Sequence, residues 1–145
     1  CNSRLDSIQA AILNIKLNYL DSYSSSRNKM AENYDENFSD IQELSIPKRQ
    51  QNSTHVFHQY TLKIVPELRN ALIKFLNDNE IPVMIYYPVP LYKQEAFSNC
   101  VNSDFKIPNV EQLCKTVLSL PIHTEIENSN QEFIINKVKE FFNKI

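Results

Sequence analysis

Asn2 and Arg4 lie at the opening turn of an evident helix. Helix N-termini attract anions, so an amide and a guanidinium placed there could hold a phosphate or a carboxylate. The structural alternative is that Asn2 shares capping with Ser3 and that Arg4 is solvated. A second constellation is the run YYPVPLY, Tyr86 to Tyr92. Phenols at a strand end can hydrogen-bond a polar ligand while their rings pack on it, which would make this run a pocket wall. Equally, it could be a proline-stiffened aromatic loop with a structural role.

Two further constellations carry weaker signals. His55 and His58 are three apart, which suits zinc on a helix. Their local pattern is a strand, where they would face opposite sides, and no third ligand is suitably spaced. Cys1 with a distant histidine could act as a thiol nucleophile, but one cysteine and scattered histidines arise easily without function. No metal site and no catalytic residue is assigned.

Several elements are expected to position these residues. Ser3 and Asp6 form a capping box ahead of Leu5, Ile8, Ile12, Ile15 and Tyr19, so a helix is expected over about 4–20. A second is expected over 24–38, with Arg27, Met30, Ala31, Tyr34 and Phe38 along one side. HVFHQYTLKIV (55–65) and IPVMIYY (81–87) read as strands. A helix over 67–79 separates them, with Leu68, Leu72, Phe75 and Leu76 inward. Pro88 and Pro90 stop the second strand. Helix 110–118, a short extended run LSLPI and a final helix opened by a Ser129–Glu132 capping box complete the chain. The fold class is α+β, with helices packed on one face of a small, mainly antiparallel sheet.

Bulk properties narrow the function. At 145 residues with 42% apolar content, one domain over 1–145 is expected. A net charge of −2 argues against nucleic acid as partner. No apolar stretch is long enough to span a membrane, and no signal-peptide pattern is visible. Three widely spaced cysteines suit a reducing cytosol better than a disulfide framework. A cytoplasmic protein is therefore expected. The chain has no glycine. Any Gly-rich loop cradling a phosphate must lie on other protein.

In order, the motifs resemble one family. Asn2-Ser3-Arg4-Leu5-Asp6 followed by Ile8 to Leu13 resembles the N-x-R-L-D-x-I-Q-A-A-I-L segment of the DegT/DnrJ/StrS nucleotide-sugar aminotransferases. Arg27 and Tyr34 match an R-x6-Y spacing, and HVFHQYTLKI, IPVMIYYPVPLYKQEAF and VLSLPIH follow in family order. The resemblance implies the C-terminal small domain of such an enzyme. Residues 1–40 would be a helical segment leading in from a larger upstream domain that carries pyridoxal phosphate, an electron sink for amino transfer.

The resemblance also implies a homodimer acting on a nucleotide sugar and an amino donor, usually glutamate. Asn2 would reach the neighbouring subunit's cofactor phosphate, and Arg4, Tyr87 and Tyr92 would contact substrate. Tyr92 stands where the family commonly has histidine. A phenol is not cationic near neutral pH, which favours a neutral keto-hexose over a hexuronate. Glu80 stands where the family has glycine, and Asn79 is expected to take the left-handed conformation instead. A non-catalytic interaction or regulatory module built on this fold is the alternative.

Overall fold

The computed structural model describes residues 4–97, 99–100, 102 and 105–145. Among these residues five α-helices and three short strands follow in the order α1 (Ser7–Leu17), α2 (Leu20–Phe38), β1 (Leu44–Ser45), β2 (Tyr60–Ile64), α3 (Pro66–Asp78), α4 (Pro108–Thr116), β3 (Val117–Leu120) and α5 (Asn128–Phe142). The sheet is antiparallel throughout, in order β1-β2-β3, with Tyr60 opposite Leu120 and Leu44 opposite Ile64. The α+β class expected from sequence is the one observed.

Burial along β2 alternates, with Tyr60, Leu62 and Ile64 inside and Lys63 outside. That period of two turns one face of the sheet toward the helices. Leu62, Leu118, Leu72, Leu76 and Val138 have no exposed surface and join α2, α3, α5 and the sheet in one core. The aromatic centre is Tyr34, whose ring lies 4.8 Å from Tyr60 and 5.6 Å from Phe38. The Tyr34 hydroxyl donates to the carbonyl of Pro121 at 2.9 Å, so its burial leaves no unpaired donor.

Several expected boundaries are corrected. The first helix begins at Ser7, because Asp6 is itself the cap: its Oδ1 accepts the N–H of Gln9 at 2.8 Å. Ser3, the other half of the expected box, lies outside the described residues. The helix stops at Leu17, where the Asn18 amide turns back to the Asn14 carbonyl at 3.4 Å and competes with the ladder. The next helix starts at Leu20, so Ser24–Ser26 lie inside it.

The 55–65 strand shrinks to Tyr60–Ile64, and 81–87 is no strand but a single bridge between Met84 and Ser119. The pairing partner missed in the sequence is β1, only two residues long. The fourth helix ends at Thr116, two residues early, and hands over to β3 directly. At α5 the cap is Glu127 with no side-chain capping bond, and Ser129 falls inside the helix.

The end of α3 departs from expectation in an instructive way. Asn79 has φ −100° and is not left-handed; Glu80 is, at φ 62°. The N–H of Glu80 reaches the Asn77 carbonyl at 3.0 Å and that of Ile81 reaches Leu76 at 2.9 Å. This is a Schellman closure, and the buried Ile81 supplies its hydrophobic contact with Leu76.

One element has no place in the core. None of the residues of α1 is buried. The apolar series Leu5, Ile8, Ile12, Ile15 and Tyr19 is exposed, with Ile8 at 75% and Ile15 at 64%.

Candidate functional site

The YYPVPLY run forms one wall of a groove of about 650 Å³. Tyr86, Tyr87 and Pro90 face Leu113, Cys114 and Val117, which come from α4 and the start of β3. The apolar residues of α4 therefore line a groove instead of entering the core. Pro88 and Pro90 hold the loop extended, and a 3₁₀ turn over Leu91–Lys93 follows. Tyr87 is 72% exposed, with its ring edge-on to Tyr86 at 6.1 Å.

Tyr92 does not line the groove. Its hydroxyl donates to Glu111 Oε1 at 2.6 Å and accepts the Ile107 N–H at 3.2 Å. Lys93 Nζ lies 2.8 Å from the same carboxylate oxygen. Hydrogen bonds from Lys93 and Tyr92 hold the Glu111 carboxyl below the usual carboxylate range. Partial burial and the bond to Glu111 push the Tyr92 phenol up, and the carboxylate pushes the Lys93 ammonium up. Glu111 and Lys93 were not singled out in the sequence. Glu111 reads there as an ordinary acid in a helix's first turn, and nothing local ties it to a tyrosine 19 positions earlier.

The HVFH segment forms a second, smaller cleft of about 420 Å³ with Pro47 and Thr61. It is held from α2: Arg27 Nε donates to the Val56 carbonyl at 2.9 Å and the Asn28 amide to that of His55 at 2.8 Å. Phe57 is buried at φ 46°, a costly conformation for an aromatic residue. Its N–H is tied to His55 Nδ1 at 2.9 Å, and the Arg49 guanidinium covers its ring at 4.7 Å. Arg49 also grips Asp35 Oδ2 at 2.6 Å, while Tyr60 donates to Asp35 Oδ1 at 2.7 Å. Burial, then the Asp35 contact, raises the Tyr60 pKa far above its ordinary value.

His55 and His58 lie outside the strand that was expected to separate them. Among the described residues no group of three or more His, Cys, Asp or Glu is placed to hold a metal ion.

Arg4 is exposed, ahead of the Asp6 cap. Asp6 places its own carboxylate on the start of α1, where an anion would otherwise sit. Asn2 and Cys1 lie outside the described residues. Described side chains bring Tyr87 to the groove but do not unite it with Arg4 in one pocket.

The chain matches the DegT/DnrJ/EryC1/StrS aminotransferase family over residues 1–139. It belongs to that family. It is 37% identical to the "pleiotropic regulatory protein" of Geobacillus stearothermophilus over 145 residues, covering 97% of this chain and 38% of the relative. It is 34% identical to the dTDP-3-amino-3,6-dideoxy-alpha-D-galactopyranose transaminase of Aneurinibacillus thermoaerophilus, covering 97% of this chain and 37% of that enzyme. The crystal structure of S. venezuelae DesV superposes with a TM-score of 0.92 at 30% identity, covering 99% of this chain and 38% of that one. The chain thus spans somewhat over a third of the length of these proteins.

The family implies a pyridoxal phosphate cofactor, and the described residues do not by themselves form a holder for it. No glycine is available for a phosphate loop. The two half-buried lysines, Lys137 and Lys139, are bound to Glu140 at 2.8 Å and Asn37 at 2.6 Å, and the other lysines are exposed. None is enclosed beside a cleft in the way a cofactor-bearing lysine requires.

Proposed function

We propose that this chain is the C-terminal small domain of a pyridoxal-phosphate-dependent sugar aminotransferase. The complete enzyme transfers an amino group, with glutamate as donor, to a keto-sugar nucleotide in surface-glycan synthesis. The observation that carries the reading is the family match over 1–139 in a chain covering 38% of its relatives. The exposed apolar stripe of α1 supports it, since burial of such a stripe requires protein beyond this domain. In this reading the cofactor sits on the upstream domain. The enzyme is a cytoplasmic homodimer, and Asn2 reaches the cofactor phosphate of the neighbouring subunit. Arg4 and Tyr87 face the nucleotide sugar, with Tyr92 at the rim of its site.

The complete protein, supplied with pyridoxal phosphate, glutamate and a panel of dTDP- and UDP-keto-hexoses, should form 2-oxoglutarate only when a keto-sugar nucleotide is present. Failure with every acceptor would refute the reading. A second reading, a regulatory module without catalysis, is favoured by one observation. It is the name of the Geobacillus relative, a "pleiotropic regulatory protein". An upstream in-frame segment with a cofactor lysine supports the enzyme. A start codon just before Cys1 supports the module.

A further inference from the structure

The groove beside YYPVPLY has two sides that are remote in sequence: the loop, and α4 with the start of β3. Its width depends on what fixes the loop against α4. The loop's own bonds are local turn bonds, Lys93 N–H to the Pro90 carbonyl at 2.9 Å and Gln94 N–H to Leu91 at 3.1 Å. These shape the turn without attaching it to the helix. The Met84–Ser119 bridge ties the start of the loop to β3; among the described residues its attachment to α4 is made by Tyr92 and Lys93, both converging on one oxygen of Glu111.

The Tyr92 hydroxyl also takes the N–H of Ile107, the residue that caps α4. One phenol therefore grips the helix at its cap and its first turn. The Phe105 ring stands perpendicular to the Tyr92 ring at 5.3 Å and limits its swing.

An exposed Lys–Glu pair alone would fix little. A carboxylate receiving a phenol and an ammonium at once, with the phenol ring held by an aromatic neighbour, is a more defined joint. We propose that Glu111 is a positioning residue: through Tyr92 and Lys93 it clasps the YYPVPLY loop to α4 and sets where Tyr87 stands over the groove. The inference rests on the reading above, in which this loop borders the nucleotide-sugar site. Glu111 acts there without touching substrate.

The test uses the complete enzyme. Glu111→Ala should raise KM for the keto-sugar nucleotide about tenfold, with kcat and the glutamate half-reaction held within about twofold. Glu111→Gln keeps an acceptor oxygen for the phenol and should recover most of that loss. Tyr92→Phe should raise KM similarly, and the double variant should be no worse than the poorer single one. An unchanged KM in either single variant, or losses that multiply in the double variant, would overturn the clasp. So would a glutamate half-reaction that falls in parallel.

A second readout needs no activity. With tyrosines labelled with ¹³C at Cζ, Glu111→Ala should move the Tyr87 line as well as the Tyr92 line. A Tyr87 line that stays in place would overturn the proposal. If no acceptor sugar is turned over at all, the functional reading fails, and the tyrosine spectrum still decides the clasp.

Discussion

Glu80 occupies a left-handed position at the end of α3 without the freedom of glycine. A side chain in that conformation costs about 1 kcal/mol or more. Glycine gives some of this back through the entropy of the unfolded chain. Glu80→Gly should therefore stabilise the fold by about 0.5–1 kcal/mol, read as a higher urea midpoint at constant slope. A lower midpoint would show that Glu80 makes a compensating contact. The glycine missing from the motif was visible in the sequence, but the residue that would absorb the turn was not. Asn is the common left-handed residue, yet register placed Glu80 at the position that closes the helix.

Residue 92 shows the same gap between type and placement. Its type suggested uncharged contact with a neutral sugar, but its hydroxyl is committed to Glu111. A histidine there would find a carboxylate waiting and spend its charge on it. Tyr92→His alone should leave the hexuronate-to-hexose ratio of kcat/KM nearly unchanged. Tyr92→His with Glu111→Gln should raise it, because the imidazolium is then unpaired. A full shift from the single substitution would show that residue 92 faces the substrate directly.

Among the elements, α5 carries a carboxylate held between two ammonium groups. Lys137 and Lys144 bring the Glu140 pKa down to about 2, and both lie within 6.0 Å of the Phe75 ring on α3. A folded-state pKa below the unfolded value of 4.5 adds stability that is complete above pH 4.5. It fades as pH falls toward 2. The stability difference between the parent and Glu140→Gln should be constant above about pH 5 and shrink from there to pH 2. A difference independent of pH would contradict the assignment.

Helix α1 raises the opposite question, since none of its residues is buried. An 11-residue helix is marginal alone. Its amides should exchange quickly in the isolated 145 residues and slowly in the complete protein. Strong protection in the isolated chain would mean that the stripe needs no partner. Helical periodicity made α1, α2, α3 and α5 readable, because each repeats its apolar residues over several turns. The segment 81–87 was misread because β-branched and aromatic composition signals a strand, while only Met84 finds a partner. β1 was unreadable because two residues carry no period.

For the molecule as a whole, the fold class and the family were readable from the order of the motifs, and residues 1–139 match the family as a unit. The groove was half readable. The YYPVPLY wall announced itself, but its α4 side looked like core, because an apolar helix face does not say whether it meets a sheet or a cleft. On the proposed reading these residues position and border a site whose reactive group lies on other protein. The most direct measurement follows ¹⁵N from labelled glutamate into the sugar. The complete protein with pyridoxal phosphate should deliver ¹⁵N to a keto-sugar nucleotide, and the 145-residue chain alone should deliver none. Label in the sugar from the chain alone, or none from the complete protein with any acceptor, would contradict that reading.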